Sequence, residues 1–520
     1  MTLDPARYGD LMLMLLPELV LTAWAMGLLV FVAWRHHRVR DLRAAGWLTL
    51  AGLAATAVAV WWLWWHSARL APSGADSMIA VDDFRWVADW TFLGAAALTV
   101  FISFRYLERE QLLAPEYYVL LVFATLGMML MAGGADLIVL FLGLELMSVA
   151  VYVLAGIDRR RARSAEAALK YFLLGAFASG FLLYGIALVY GATGTTGLHG
   201  IAARLTAAPD PGIMLLAGLA LLLVGFAFKV AAVPFHTWAP DVYDGAPTPV
   251  TAFMATAVKA AAFAALFRVL LAAFAPLAAW RDILWWLALV TMIAGNLLAL
   301  GQRSLKRMLA YSSVAHAGYL LVAVVAGGAT GPAAFVVYLA AYVLMTIGAF
   351  ALLAAKGQGG ESDVLIDDLG GLADRRPWHA FALAVCMLSL LGFPGTAGFI
   401  GKWYILLAAT GVGEHLLAAT VVVTSVVSAG YYLPVIMAMY MKPEAAEAAH
   451  VDVRLGRLAG GAVAVVVAGL LVLGVWPNRL FELARAAGDS VRPAPALYQS
   501  PASAAAPLAR PAAADSSTGR

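Results

Sequence analysis

Four ionisable residues lie near the middle of long apolar segments of this chain. Glu145, Lys229 and Lys259 each stand within an apolar run, and Lys402 follows a Gly- and Pro-rich interruption. A charged side chain at the centre of a membrane helix costs about 3 kcal/mol on insertion scales, so such residues usually have partners or a function. Carboxyl groups and buried lysines both exchange protons. The set therefore predicts proton transfer inside a membrane.

The four charges do not balance, because one carboxylate faces three ammonium groups. Burial disfavours the charged form of lysine, and a neighbouring cation disfavours it further. We therefore expect at least one of these lysines to be neutral part of the time. We expect Glu145 to pair with Lys229, so that a change in the pairing moves a proton through water towards Lys259 and Lys402. The alternative is a set of structural ion pairs, although one acid cannot pair with three lysines.

Lesser candidates stand closer to the ends or interruptions of the apolar segments. Lys170 is about five residues inside its segment, where its long side chain can reach the interface. His236 and His316 can relay protons near neutral pH, or serve as hydrogen-bonded structural residues. Asp136 and Arg268 lie near segment ends, and we expect them to be interfacial.

Composition places the chain in the membrane class. Hydrophobic residues make up 63% of the 520 residues, charged residues only 12%, and the mean hydropathy is +0.86. Soluble domains carry about twice that share of charge. The net charge of +3 comes without a basic stripe, so nucleic acid binding has no support. Cys386 is the only cysteine, which excludes an internal disulfide or an iron–sulfur site, and no nucleotide-binding motif is present.

Apolar segments long enough to cross a membrane number about fourteen, so the fold is predicted to be all-α and polytopic. They lie near residues 11–34, 44–66, 85–106, 115–132, 136–156, 165–190, 212–238, 249–273, 283–300, 307–328, 332–355, 378–409, 414–441 and 457–476. The first lacks a basic stretch before it and a cleavage site after it, so we interpret it as a retained helix.

The loops between these segments differ in charge. Nineteen Lys and Arg residues fall in the odd-numbered loops, against five in the even loops and the N-terminal stretch. The positive-inside rule then predicts cytoplasmic odd loops and both termini on the periplasmic side of a bacterial inner membrane. Loop seven, with Asp241 and Asp244, is acidic and departs from the rule.

Two segments are interrupted by proline, which breaks or kinks a helix. One reads Lys229-Val-Ala-Ala-Val-Pro234-Phe-His236, and the other reads Gly392-Phe-Pro394-Gly-Thr-Ala-Gly. They are the seventh and twelfth segments, five segments apart. Because five is an odd number of crossings, a second copy of a five-helix repeat enters the membrane from the other side and is inverted relative to the first. The predicted divisions are residues 1–110 (three helices), 111–275 (first inverted repeat), 276–442 (second inverted repeat), 443–484 (last helix) and 485–520 (an Ala-, Pro- and Ser-rich disordered tail).

Four stretches resemble the antiporter-like membrane subunits of proton-pumping NADH:quinone oxidoreductase, respiratory complex I, and best of all its subunit N branch. They lie at residues 164–176, 228–250, 304–313 and 392–404, and the second contains Gly245-Ala-Pro-Thr-Pro249. The resemblance implies fourteen helices in two inverted five-helix repeats, with helices 7 and 12 broken. It also implies functional ionisable residues where Glu145, Lys229, Lys259 and Lys402 stand.

The same resemblance implies a proton-translocating subunit, coupled to quinone reduction elsewhere in the complex. No cofactor is expected on this chain, whereas NADH, FMN, iron–sulfur clusters and quinone are expected on partner subunits. The expected partners are the other membrane-arm subunits and the lipid bilayer. Two alternatives stay open: a subunit of a multi-subunit Na⁺/H⁺ antiporter, and a scaffold that conducts no protons. A Na⁺ dependence favours the first, and activity that survives neutral substitution of Glu145 and Lys229 favours the second.

Overall fold

Helices account for almost all of the structure, because an α-helix satisfies every backbone polar group without water. A computed structural model describes residues 5–35, 39–66, 77–207, 210–328, 330–355, 364–443 and 455–491. The α-helices are α1 (Pro5–Met14), α2 (Leu16–Trp34), α3 (Val39–His66), α4 (Asp83–Arg109), α5 (Glu116–Gly133), α6 (Leu137–Ala155), α7 (Ala162–Thr193), α8 (Leu198–Ala207), α9 (Gly212–Val230), α10 (Trp238–Gly245), α11 (Thr248–Phe253), α12 (Lys259–Ala272), α13 (Ala279–Leu300), α14 (Leu305–Ala326), α15 (Gly331–Ala354), α16 (Leu372–Arg375), α17 (Pro377–Leu391), α18 (Ala397–Gly411), α19 (His415–Met441), α20 (Arg457–Val475) and α21 (Asn478–Ser490).

The predicted polytopic all-α class is confirmed. Within the described ranges, thirteen helices are long and apolar enough to cross a membrane. The shorter apolar helix α17 continues into α18 after the predicted interruption, which supplies the fourteenth crossing. A π-helical turn (Met254–Val258) joins α11 to α12 within one crossing, and a 3₁₀ helix (Ile366–Leu369) precedes α16.

Three crossings form the centre of the molecule. All residues from Thr248 to Ala272 are buried, and α14 and α15 are buried along nearly their whole length. Outer helices such as α7 instead expose apolar side chains, among them Leu173 and Phe177. The centre is therefore the part of the chain most shielded from lipid, and its polar groups must find partners within the protein.

Both predicted interruptions are present, and each follows a residue with left-handed backbone geometry. Ala231 has φ 60° after α9, and Gly392 has φ 88° after α17. The first break is held by the indole of Trp238, which donates to the carbonyl of Phe228 at 3.0 Å. It is also held by the amide of Val233, which donates to Thr291 Oγ1 on α13 at 2.9 Å. Such bonds satisfy backbone groups that a broken helix frees.

Glycine contacts occur at matching places in the two predicted repeats. A Cβ added to Gly127 of α5 would lie 2.5 Å from the backbone nitrogen of Met147 on α6. A Cβ added to Gly295 of α13 would lie 2.5 Å from that of Ala315 on α14. Small residues let membrane helices approach closely. These contacts are compatible with the division into repeats, which stays a prediction.

The two ends of the described chain meet on one face of the molecule. Arg85, near the start of α4, donates to the carbonyl of Met14, and the amide of Phe84 donates to Ser490 Oγ. We call this the terminal face, and the other the opposite face. The predicted tail from residue 485 is wrong at its start, because residues 485–490 belong to α21. Residues 492–520 of that tail lie outside the described residues.

Candidate functional site

Lys229 occupies the last turn of α9, where the chain breaks. Its side chain is 4% exposed, and Nζ donates to Ser148 Oγ at 2.7 Å and to the hydroxyl of Tyr152 at 3.1 Å. Both hydroxyls come from α6, four residues apart and hence on one side of that helix. The negative end of a helix dipole stabilises a cation in the last turn. The helix break thus places an ammonium group against two neutral oxygens.

Glu145 also lies on α6, but the predicted pair with Lys229 is wrong. No ion pair joins the two side chains among the described contacts, because the ammonium group is bonded to Ser148 and Tyr152. Glu145 is half-buried, and its Oε1 is buried without a hydrogen-bond partner. It stands less than one turn before Ser148, so it influences Lys229 through its charge and not through a direct bond.

Lys259 begins α12, directly after the π-helical turn, and is 1% exposed. Its Nζ donates to the carbonyl oxygen of Ser313 on α14 at 2.8 Å and also contacts Ser313 Oγ. A π-helical turn adds a residue to the helix and is frequent at functional sites. Here it immediately precedes a lysine in the most buried crossing of the protein.

His316 lies one turn beyond Ser313 and is enclosed by tyrosines. Its Nδ1 is 2.6 Å from the hydroxyl of Tyr338 on α15, and its Nε2 is 3.1 Å from that of Tyr432 on α19. The Tyr432 hydroxyl also bonds Ser312. A histidine with a hydroxyl on each ring nitrogen can take a proton on one side and release one on the other.

Lys402 lies in α18, after the second break, and is 7% exposed. Its Nζ reaches back to the carbonyl oxygens of Leu390 and Leu391, at 3.2 and 2.9 Å, which end α17. The ammonium group also lies 4.8 Å from the ring centre of Tyr319 on α14. The carbonyls released by the break therefore become acceptors for Lys402.

The remaining candidates are separated from this buried set. Lys170 is 42% exposed and pairs with Glu166 and Asp241, at 2.7 and 3.0 Å. His236 is half-buried in the first break. Asp136 caps α6 by accepting from the amide of Ile138, and its predicted interfacial position stays a prediction. Arg268 is buried.

A polar cleft on the opposite face explains the acidic loop seven. Asp241 accepts from Lys170 and from Arg307 at 3.0 Å each, and Asp244 lies 4.0 Å from Arg307. With Arg163 and Glu166 these residues line a cleft of ≈ 190 Å³. The acids of loop seven therefore neutralise basic residues contributed by other loops and helices.

The sequence interpretation missed the neutral side chains that contact the lysines and the histidine. They are Ser148, Tyr152, Ser313, Tyr338 and Tyr432. Their spacing carried one usable signal, since Ser148–Tyr152 and Ser312–His316 are four residues apart. The sequence interpretation also missed a buried group of charges formed by Glu18, Arg85 and Asp89.

Fourteen crossings in the described chain, two of them broken beside a buried lysine, place the protein in the antiporter-like class of polytopic membrane proteins. A model of the family "NADH:quinone oxidoreductase/Mrp antiporter, TM" matches residues 134–428. NADH-quinone oxidoreductase subunit N of Gemmatimonas aurantiaca is 46% identical over 503 residues, which covers 94% of this chain and 96% of that protein. The chain belongs to the NADH-quinone oxidoreductase subunit N family.

Solved structures agree with this assignment. A chain of respiratory complex I from Thermus thermophilus is 38% identical, with a TM-score of 0.75 over 90% of this chain and 99% of that one. A chain of an Mrp complex from a Dietzia species gives a TM-score of 0.80 at 23% identity, over 94% of this chain and 98% of that one. At that identity the second likeness shows a shared fold only.

Proposed function

We propose that this chain is a proton-translocating membrane subunit of an NADH:quinone oxidoreductase, with Lys229, Lys259 and Lys402 as its proton carriers. The names of its relatives and the likeness to a complex I chain support the assembly. In this proposal quinone reduction takes place elsewhere in the complex, and NADH, FMN, iron–sulfur clusters and quinone belong to partner subunits. This chain supplies the path for protons through the membrane.

One observation carries the proposal of a relay. Three lysines are buried in the membrane region, and none has a carboxylate within ion-pair distance among the described residues. A lysine buried only for structural reasons would be expected to form an ion pair with a carboxylate. A lysine that must exist both charged and neutral is better served by neutral oxygens, because they stabilise the ammonium group less than a carboxylate does.

The side chains along α14 suggest how two of the lysines communicate. Ser313 contacts Lys259, His316 bonds two tyrosines, and Tyr319 lies against Lys402. These three residues are spaced by three, so they form one row that rises about 9 Å along the helix. In our proposal a proton passes from Lys259 along this row to Lys402, with water completing the steps that direct bonds do not span.

The polar cleft of the opposite face is proposed as the way in. Lys170 and Asp241 line this cleft. Tyr171, which follows Lys170 in the sequence, has its ring centre 6.0 Å from Lys229 Nζ. Lys229 is then the first buried carrier, and Glu145 adjusts its proton affinity through its field. His236, in the break that follows Lys229, is a secondary candidate with no proposed bond.

The test is Lys259→Ala in the assembled complex, measured as NADH-driven proton uptake by inverted membrane vesicles. Loss of proton uptake is expected, because the variant lacks the amine that holds the proton at this step of the proposed path. Lys442→Ala is the matched control, since Lys442 is exposed and pairs with Asp367 at 2.6 Å. Full proton uptake by the Lys259 variant, with the complex assembled, would refute the relay and favour the scaffold. A requirement for Na⁺ would favour the antiporter.

A further inference from the structure

A second buried group of charges lies near the terminal face, away from the three lysines. We call it the Arg85 cluster, and it consists of Glu18 on α2, Asp82, Arg85 and Asp89 at the start of α4, and Arg268 on α12. Arg85 Nη2 donates to both oxygens of Glu18, at 2.7 and 2.8 Å. Arg268 holds Asp82 with two hydrogen bonds, at 2.6 and 2.8 Å.

Asp89 is the exception in this cluster. It is 0% exposed, and neither of its carboxyl oxygens has a hydrogen-bond partner. Its nearest cation is Arg85 Nε at 3.6 Å. The other nitrogens of Arg85 are engaged by Glu18 and by the carbonyl oxygens of Ala80 and Met14. Asp89 thus lacks the donors that a buried carboxylate needs.

The charges of the cluster do not cancel. Three carboxyl groups face two guanidinium groups, so one negative charge is left over when all are ionised. Of the other polar groups at the start of α4, Asp83 accepts from the indole of Trp64 at 2.9 Å, and Ser490 of α21 accepts from the amide of Phe84. Neither supplies a positive charge. A buried excess charge is relieved most simply when the group with the fewest donors takes up a proton.

A proton suits this site better than a metal ion. Within the described ranges, no three His, Cys, Asp or Glu side chains converge as metal ligands. Glu18 and Asp82 are moreover already held by guanidinium groups, which leaves Asp89 as the carboxyl able to change its protonation state.

We propose that Asp89 holds an exchangeable proton near the terminal-face end of the path; this rests on the proposed proton translocation. Arg268 follows Lys259 by nine residues, about 14 Å of helix, on the crossing that packs against α4. A proton that reaches the cluster converts the Asp89 carboxylate to the acid, and its departure restores the carboxylate. Helix α21 packs over the start of α4 and bonds it through Ser490, so it covers this end of the cluster.

The test is Asp89→Asn in the assembled complex, followed in two ways. Infrared difference spectra in H₂O and D₂O report the C=O stretch of a buried carboxylic acid, and inverted vesicles report protons moved per electron pair. We expect the wild-type acid band to be missing from the variant and its proton ratio to fall. Asp83→Asn is the matched control, since Asp83 is a neighbouring acid outside the cluster.

The outcome separates this role from a structural one. Removing the Asp89 charge leaves two carboxylates with two guanidinium groups, so a purely structural Asp89 would tolerate Asn and leave pumping unchanged. Unchanged pumping, or an acid band that persists in the variant, would overturn the proposal. Should Asp89→Asn fail to assemble, Asp89→Glu serves instead: it must keep pumping and shift the band, and an unshifted band would overturn the proposal.

The result also stands apart from the test of the relay. An Asp89 acid band that survives in Lys259→Ala, while that variant has lost pumping, supports both proposals. If Lys259→Ala keeps full proton uptake and the Asp89 acid band is present, the relay is refuted. Asp89 is then a buried acid without the pumping role proposed here.

Discussion

The oxygen atoms around the buried lysines differ in which protonation states of the lysine they can hydrogen-bond. Ser148 and Tyr152 accept a hydrogen bond from the Lys229 ammonium group, and each hydroxyl can also turn and donate to a neutral amine. The carbonyl oxygens of Leu390 and Leu391 can only accept, and they lie at the negative end of a helix. Lys229 is therefore suited to both protonation states, whereas Lys402 is held by groups that favour the cation.

This difference predicts the effect of removing the hydroxyls around Lys229. The double variant Ser148→Ala, Tyr152→Phe removes both hydroxyl groups that accept hydrogen bonds from the Lys229 ammonium group. Leaving a buried neutral donor without an acceptor costs roughly 1–3 kcal/mol, and leaving a buried charged donor without one costs more. We expect Lys229 to become neutral and NADH-driven proton uptake to slow severely. Ser179→Ala is the control, because the buried Ser179 hydroxyl has no partner. Equal loss in both variants would contradict the role given to the hydroxyls.

The sequence identified the lysines that lie buried, but it did not identify the residues that contact them. Lys229, Lys259 and Lys402 stood out because ions in apolar segments are costly. Their partners did not, because a contact depends on how each helix is rotated and where it breaks. Charge suggested Glu145 as the partner of Lys229, yet the structure places hydroxyls there.

At the scale of single elements, the two breaks serve the lysines in different ways. The first ends α9 beside Lys229 itself, whereas the second frees carbonyls at the end of α17 for Lys402, which belongs to the next helix. Both breaks were predicted correctly from the proline residues, because proline lacks a backbone N–H donor and disrupts a helix wherever it stands in the helix interior. The amphipathic α21 was missed, because its Ala-rich sequence carries few apolar anchors and its place depends on contacts with α4 and α15.

The second break predicts a severe effect of Gly392→Ala. Gly392 has φ 88°, and an added Cβ would lie 3.0 Å from Lys402 Cδ. Left-handed geometry costs a non-glycine residue about 1–2 kcal/mol, and the methyl group would also push Lys402 from its carbonyl acceptors. We expect a lower thermal stability of the complex and reduced proton uptake.

The control for this variant is Gly411→Ala, near the end of α18. Gly411 is helical, and an added Cβ there meets nothing within 4 Å. Alanine is favoured over glycine inside a helix by roughly 0.5–1 kcal/mol, so this change should leave stability equal or slightly higher. Matching losses in both glycine variants would show that the second break does not depend on Gly392.

At the scale of the whole molecule, polar groups are concentrated towards the two faces and along the buried centre. The cleft with Lys170, Asp241 and Arg307 lies on the opposite face, and the Arg85 cluster lies near the terminal face. The lysines occupy the region between them. This arrangement, with charged groups near both faces and buried lysines between, is compatible with the proposed proton path.

The charge of the loops predicts which face meets which compartment. The odd loops carry most of the lysines and arginines, so the opposite face should be cytoplasmic and the terminal face periplasmic.

The only cysteine, Cys386, is buried, so the wild-type chain should not react with a membrane-impermeant maleimide. Arg159 lies on an exposed loop of the opposite face, and Asp210 is exposed on the terminal face. We expect Arg159→Cys to be labelled only in inverted vesicles and Asp210→Cys only in spheroplasts. The reverse pattern would invert the molecule, and the polar cleft would then lie on the side to which protons are released.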